Sequence, residues 1–175
     1  MHRKPPDDSF LPARRRLLLS GAALGAGALF LKLHMPGITP AKGAEVFEVT
    51  HTDAQWRALL TPAQYAILRQ GGTEPAFSSA LDHEKRAGIF HCAGCALALY
   101  SSATKFDSGT GWPSFWKPLP NAVNDRRDLS LGIVRDEVHC RRCGSHLGHV
   151  FDDGPPPTGL RYCMDGLALT FEAAA

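Results

Sequence analysis

Five cysteines hold most of the chemistry available to this chain, and their spacing divides them into four and one. Cys92-Ala93-Gly94-Cys95 and Cys140-Arg141-Arg142-Cys143 are two C-x-x-C pairs separated by forty-four residues. Two such knuckles can bring four thiolates to the corners of a tetrahedron, the arrangement Zn²⁺ accepts in closed structural sites. Gly94 and Gly144 are expected to let each knuckle turn toward the ion. The site would staple two distant hairpins, and four protein ligands would leave no open position for a reacting water. Two disulfides or a redox-active C-x-x-C are the alternatives. The redox motif belongs in a strand–helix context within a βαβ unit, which neither pair has.

The fifth cysteine, Cys163, stands in Leu160-Arg161-Tyr162-Cys163-Met164-Asp165. A lone cysteine in a β-segment can be nothing more than a small buried hydrophobe. Three neighbouring features argue for a nucleophile instead. Arg161, two residues earlier, shares a strand face with Cys163 and would favour its thiolate. His146 and His149, in Ser145-His146-Leu147-Gly148-His149-Val150-Phe151, offer two imidazoles that titrate near neutral pH. They are three apart, so on a regular strand they would point to opposite faces, and joint action requires a bend near Gly148. Finally, Gly109-Thr110-Gly111-Trp112-Pro113-Ser114-Phe115-Trp116 is a glycine–aromatic loop that could set a rigid indole over a small apolar group. Each feature alone has an ordinary structural explanation; their joint occurrence favours catalysis.

The elements that must position these residues are mostly strands. Thr52-Asp53-Ala54-Gln55 is a capping box, and Trp56, Leu59 and Leu60 follow at helical spacing. Thr61-Pro62-Ala63-Gln64 starts a second short helix, with Pro at its first position and Gly71-Gly72 at its end. Residues 71–80 read as a loop. Beyond about residue 87, strands are expected at Ile89-Phe90-His91, Leu97-Ala98-Leu99-Tyr100, Leu129-Ser130-Leu131-Gly132-Ile133-Val134 and Leu167-Ala168-Leu169-Thr170-Phe171, separated by Gly, Pro, Asn and Asp clusters. No long helical pattern lies between them, so parallel crossovers are not expected. The expected fold is mainly β and antiparallel, with short N-terminal helices.

The chain has 175 residues, 44% hydrophobic and 21% charged, which suits one globular domain with an extension. Residues 1–43 hold 7 Lys+Arg against 2 Asp+Glu, a net of +5; residues 44–175 hold 12 against 15, a net of −3. The mildly acidic body has no clustered cationic footprint for nucleic acid. The first segment reads as a leader. Ala13-Arg14-Arg15-Arg16-Leu17-Leu18-Leu19 opens a Gly- and Ala-rich apolar run that reaches about Leu33, and Pro36, Gly37, Pro40 and Ala41-Lys42-Gly43-Ala44 follow. A basic start, an apolar centre and a small-residue exit are the parts of a secretory signal, and the adjacent arginines resemble a twin-arginine export signal. An uncleaved anchor or a cytosolic extension are the other readings. Either of the membrane-directed readings puts residues 44–175 in the periplasm. Export of an already folded chain would suit a protein that must load metal before its thiols meet an oxidising space.

Long blocks of the body resemble the B-type methionine sulfoxide reductases, from about Thr52 to Glu172. They are Phe90-His91-Cys92-Ala93-Gly94-Cys95, the stretch Thr104–Phe115 around Asp107-Ser108-Gly109-Thr110-Gly111-Trp112, the stretch Cys140–Pro155 around Ser145-His146-Leu147-Gly148-His149, and Pro157–Cys163. The resemblance implies two antiparallel sheets in a β-tent, stapled by a structural Cys₄ zinc, and reduction of methionine-R-sulfoxide in proteins and peptides. It places Cys163 on the nucleophile, His146 and His149 on the active-site histidines and Trp112 on the residue that receives the substrate methyl. Arg161 joins Trp112 on the substrate side. A thiolate attack on sulfur leaves methionine and a sulfenic acid on Cys163, and protons must reach the departing oxygen, a task that suits imidazole.

Two positions depart from the family pattern. Many members carry a second, resolving cysteine where this chain has Thr110. With four thiols committed to metal, a one-cysteine cycle is expected, in which an external thiol reduces the sulfenic acid; a thioredoxin-like protein or a small thiol would serve, and the protein is expected to be a monomer. Two residues after the nucleophile the family usually has Asn, and this chain has Asp165. An ionised carboxylate there would oppose thiolate formation. A protonated Asp165 could donate to the sulfoxide oxygen, with an activity optimum displaced toward acid, and this is the expectation adopted. The competing functions are a non-catalytic zinc-held module that binds oxidised methionine or a small ligand, and a C-x-x-C disulfide oxidoreductase.

Overall fold

The computed structural model of the protein describes residues 45–130 and 132–175, so the expected leader lies outside the described residues. Both helix starts form as the sequence dictates. Thr52 caps α1 (Asp53–Leu59) with its side chain on the Gln55 amide while Gln55 reaches back to the Thr52 amide. Thr61 and Gln64 repeat this at α2 (Pro62–Gln70), which stops at Gly71 in the left-handed region. Trp56, Tyr65, Ile67 and Leu68 are the buried faces of the pair. No helix of the described residues is long and apolar enough to cross a membrane.

Nine strands follow, and every pairing is antiparallel. They are β1 (Gly88–Cys92), β2 (Ala98–Ser101), β3 (Lys105–Phe106), β4 (Ser114–Phe115), β5 (Val123–Asp128), β6 (Arg135–Cys140), β7 (His146–Phe151), β8 (Arg161–Met164) and β9 (Leu169–Ala173). Three form one sheet, in the order β2-β1-β9, and six form the other, β3-β4-β8-β7-β6-β5. The fold is therefore mainly β with two antiparallel sheets and two short helices.

The two sheets share an aromatic core. Phe90 and Tyr100 of the small sheet meet Phe115 of the large one, with ring centroids 4.9 and 4.3 Å apart, and the Tyr100 hydroxyl donates to Met164 Sδ at 3.1 Å. Phe90, Leu99, Tyr100, Phe115, Leu147 and Met164 are fully buried, each worth about 1.5–3 kcal/mol of apolar burial. Met164 and Leu147 flank Cys163 and His146 in sequence, so the core grips the strands that present those two residues.

The structure corrects two expected strands. Leu129, Ser130 and Gly132–Val134 form no strand, and the reversal of the chain falls among them. β5 and β6 pair without interruption from Val123↔Cys140 to Asp128↔Arg135, so the chain must reverse between Asp128 and Arg135. Leu129, Ile133 and Val134 consequently stand 63%, 59% and 60% exposed; apolar residues with no facing surface do not make a strand. At the C-terminal end, β9 begins only at Leu169, because Gly166–Ala168 form a 3-10 turn that starts from Asp165. Asp165 is therefore not two places along a strand from Cys163, although the turn still brings it to the same cavity.

Candidate active site

The four paired cysteines come together. Cys92 ends β1 and Cys95 lies in the turn to β2; Cys140 ends β6 and Cys143 lies in the turn to β7. The knuckles match in form: Ala96 N–H donates to Cys92 C=O and Gly144 N–H to Cys140 C=O, both at 2.8 Å. In each, the residue after the second cysteine takes the left-handed conformation, φ 57° at Ala96 and 67° at Gly144. Gly144 performs the expected turn, whereas in the first knuckle Ala96 does so and not Gly94. All four sulfurs lie within 4.8 Å of one another, with Cys92–Cys143 at 3.8 Å and Cys95–Cys140 at 3.6 Å. Those spacings match the ~3.8 Å edge of a tetrahedron with 2.3 Å metal–sulfur bonds. They are far beyond the ~2.05 Å of a disulfide, and all five cysteines are free. The four sulfurs could hold a metal ion, which would tie the small sheet to the large one.

Cys163 is the thiol left over. It lies on β8 between Ser114 of β4 and His149 of β7, its register partners. With Trp112, His149, Asp165, Thr73, Arg135, Gly148 and Phe151 it lines a cavity of about 130 Å³. This is well below the roughly 300–1,000 Å³ of sites for drug-sized ligands, so it suits a single side chain. Three hydroxyls form a chain behind the sulfur: Ser114 Oγ to Ser108 Oγ at 2.7 Å, Ser108 Oγ to Thr110 Oγ1 at 2.8 Å, and Thr110 Oγ1 to Cys163 Sγ at 3.8 Å. Burial pushes the Cys163 thiol above its ordinary range; the Thr110 hydroxyl and the Arg161 charge pull it down without reversing the shift, and Asp165 pushes it further up. The expectation of a readily ionised thiol is therefore not met.

Arg161 also stands differently from its expected place on the substrate side. It makes two 2.8 Å hydrogen bonds to the Asp153 carboxylate and stacks over Phe151 at 4.4 Å. Phe151, and not Arg161, lines the cavity, and Arg161 bears on the site through its charge beside Cys163.

His146 and His149 do share a face, with ring centroids 5.4 Å apart. The reason is Gly148, at φ 148°, beside a register shift between β6 and β7. A Cβ there would sit 2.1 Å from the Cys163 carbonyl oxygen, so glycine permits both the bend and the close approach of β7 to β8. The two rings then meet different partners. His149 Nε2 faces Asp128 Oδ2 at 2.9 Å, and Arg135 holds the same oxygen at 2.6 Å. Burial lowers the His149 pKa, opposed by Asp128 and reinforced by Arg135 and His146. His146 lies between two carboxylates, with Nδ1 2.8 Å from Glu137 Oε1 and Nε2 3.7 Å from Asp165 Oδ2. Burial alone would depress its pKa, but Asp165 and Glu137 raise it to about 9. Glu137 is driven the other way: burial raises it, and His146 and Arg126 outweigh burial and bring it to about 2. A second cavity of about 450 Å³ meets the same pair of rings and is lined by Arg126, Asp128 and Glu137 among others.

Asp128, Glu137 and the Ser108–Ser114 hydroxyl pair were not singled out from sequence. Asp128 and Arg135 bracket the run misread as a strand, and recognising a hairpin there would have paired them at its base. Glu137 follows Arg135 with period two, a signal that marks a face but not a partner. Trp112, partly buried, donates its indole N–H to the Glu74 carbonyl at 3.1 Å and faces the cavity across from His149 and Cys163.

A half-buried thiol, a flanking indole and carboxylate-paired imidazoles on a β fold with a four-cysteine cluster define a thiol-centred site of one class. The SelR domain family model matches residues 60–173. A peptide methionine sulfoxide reductase MsrB of Thiobacillus denitrificans is 57% identical over 121 residues, 69% of this chain and 92% of the relative. The namesakes from Agrobacterium fabrum and Thioalkalivibrio sulfidiphilus are 52% and 53% identical over 126 and 124 residues, 71% and 70% of this chain and 93% and 90% of the relatives. The chain belongs to the MsrB family of peptide methionine sulfoxide reductases.

Proposed function

We propose that the protein reduces methionine-R-sulfoxide in polypeptides through Cys163, and that an external thiol regenerates it. The observation that carries this reading is the unligated Cys163 sulfur in a side-chain-sized cavity between Trp112 and His149. The sulfoxide methyl rests on the Trp112 indole, its oxygen faces the histidines and Asp165, and the remaining face of the sulfur turns to Cys163. Three different contacts around one chiral sulfur distinguish the R epimer from the S.

The Cys163 sulfur bonds to the sulfoxide sulfur as the S–O electron pair collects on oxygen, which takes a proton from His146. The resulting hydroxyl passes to the Cys163 sulfur as the Cys163–substrate S–S bond breaks and its electron pair returns to the substrate sulfur, and the proton given up by the thiol restores His146, so thiol plus sulfoxide become sulfenic acid plus thioether. One external thiol then displaces the sulfenic oxygen as water and forms a mixed disulfide; a second releases the Cys163 thiol and leaves as an external disulfide. Thr110 beside the sulfur supplies no thiol for an internal disulfide, which is why the reductant comes from outside, from a thioredoxin-like protein or a small thiol. Four thiolate donors suit Zn²⁺, held by Cys92, Cys95, Cys140 and Cys143 as a structural ion. The leader read in residues 1–43 supports work in the periplasm.

Asp165 enters this scheme differently from the acid expected in sequence. Its Oδ1 accepts the Glu74 amide N–H at 3.0 Å and its Oδ2 faces His146, so both oxygens point at donors. We assign the transferred proton to His146, with Asp165 holding that imidazolium in place. A stereo-resolved assay with dithiothreitol tests the reading: loss of the R epimer alone is expected, abolished by Cys163→Ser. Binding without turnover would support the non-catalytic module instead.

A further inference from the structure

Glu74 lies in the irregular segment between α2 and the 3-10 turn at Ala80–His83, and it is only 4% exposed. Nothing in the reaction scheme uses it, yet four hydrogen bonds converge on this residue. Its carboxylate accepts the Gly166 amide at 2.5 Å and the Leu167 amide at 3.0 Å. Its own amide donates to Asp165 Oδ1, and its carbonyl accepts the Trp112 indole N–H. Trp112 and Asp165 both line the Cys163 cavity, and Thr73, the residue before Glu74, lines it as well.

We propose that Glu74 is the positioning residue that sets the substrate cavity: its buried carboxylate fixes one residue whose backbone N–H and C=O, on either side of its Cα, hold the carboxylate that faces His146 and the methyl-binding indole. The inference rests on the proposed function and goes beyond it by assigning what holds two of the substrate-facing groups at their mutual spacing. The physical argument is one of tethers. The segment carrying Glu74 has no sheet ladder; besides Glu74, its tie toward the Trp112 loop is the Phe77 amide on the Gly111 carbonyl at 2.7 Å. Two amide donors at the first residues of a short turn satisfy a buried carboxylate, and such charge-assisted bonds are stiffer than neutral ones. A displacement of the Glu74 backbone moves the indole acceptor and the Asp165 donor together. Loosening it therefore relaxes the methyl contact and the imidazolium partner at once, which a bond serving stability alone would not do.

The test is Glu74→Gln in the full chain. Its amide group must turn an N–H toward one of the two backbone N–H donors, so one anchor is lost while size is kept. The measurements are kcat and KM for both sulfoxide epimers, and the ¹⁵N–¹H resonance of the Trp112 indole, assigned by its disappearance in Trp112→Phe. The expected result is a KM for the R epimer raised at least tenfold, a reduced R-over-S preference and a displaced indole resonance, all at a temperature where the variant is folded. A lower thermal midpoint with the indole resonance in place and kcat/KM within twofold of the parent would overturn the proposal and leave Glu74 a fold anchor. If Glu74→Gln does not fold, Glu74→Asp keeps the carboxylate on a shorter stem and must draw the backbone at position 74 toward Gly166 and Leu167. A displaced indole resonance is again expected, and an unmoved one again overturns the proposal. Failure of the parent protein to reduce the R epimer would sink the proposed function itself, a result distinct from either of these.

Discussion

At the scale of single residues, the site is governed by which group carries a proton. His146 holds one up to a pKa of about 9 because Asp165 and Glu137 flank it, with His149 at its side and Arg126 behind Glu137. Activity that depends on the His146 proton falls as pH rises through about 9. Asp165→Asn removes one of the two carboxylates, so the alkaline limb of kcat/KM is expected to move to lower pH by roughly one unit or more. A limb unmoved by Asp165→Asn would place the acid elsewhere. The same shift has a consequence for stability. The His146 pKa is raised on folding, so its contribution is complete below about 6.5 and is lost as pH rises through about 9. It is on the order of 3 kcal/mol and is shared with Glu137 rather than added to it. Glu137, lowered to about 2, contributes above about 4.5 and is lost as pH falls through about 2. Denaturant titrations across this range would follow both limbs. Thr110 gives a further prediction. Its side chain already meets the Cys163 sulfur at 3.8 Å, so Thr110→Cys should form an internal disulfide with Cys163 after one turnover. The parent chain should instead stop at a sulfenic acid when no thiol is supplied, and peptide mass spectrometry separates the two outcomes.

At the scale of elements, the critical seam is β7 against β8. Gly148 lies under the Cys163 carbonyl with no room for a methyl group, at a φ that other residues avoid. Gly148→Ala should cost about 1–3 kcal/mol in stability, measured by chemical denaturation, and should separate His149 from Cys163 enough to cost activity beyond the loss of folded protein. A variant with parent stability would show that the seam has slack. The helix starts and the aromatic strands were legible before the structure because their signals are local: capping boxes at Thr52 and Thr61, and short runs of β-forming residues at Ile89-Phe90-His91 and Leu97-Ala98-Leu99-Tyr100. The Leu129–Val134 run was misread because its composition is that of a strand, while its position at the reversal between Asp128 and Arg135 makes it a loop. Strand identity there depended on what the residues faced, and they face solvent.

At the scale of the whole molecule, four thiols meet at the turns after β1 and β6, where a bound metal ion would join the small sheet to the large one. A structural zinc site in small peptides is worth roughly 10–16 kcal/mol, comparable with the roughly 5–15 kcal/mol net stability of an ordinary domain. Chelation under mild denaturation should therefore abolish the cooperative unfolding transition, and elemental analysis of the purified protein should find one zinc per chain. A metal-free protein that unfolds at the same midpoint would show that the aromatic core around Phe90, Tyr100 and Phe115 suffices. Loss of the metal should also cost activity indirectly, because β7 starts just after the second knuckle and carries both histidines.

Some of this was settled by residue type and spacing alone. The four-plus-one division of the cysteines, the two capped helices and an antiparallel β architecture follow from short-range patterns, and the resemblance to the B-type reductases is what implied the nearness of Cys163, His146, His149 and Trp112. The partners that tune those groups did not follow. Glu74, Asp128 and Glu137 are separated from the site groups they hold by anything from nine to 93 residues, and no local rule ties a carboxylate to a ring or an amide at such a distance. Burial decided the rest. It raised the Cys163 thiol against the pull of Arg161 and made two carboxylates the partners of one imidazole, and burial is a property of the packed whole, which no stretch of sequence carries by itself.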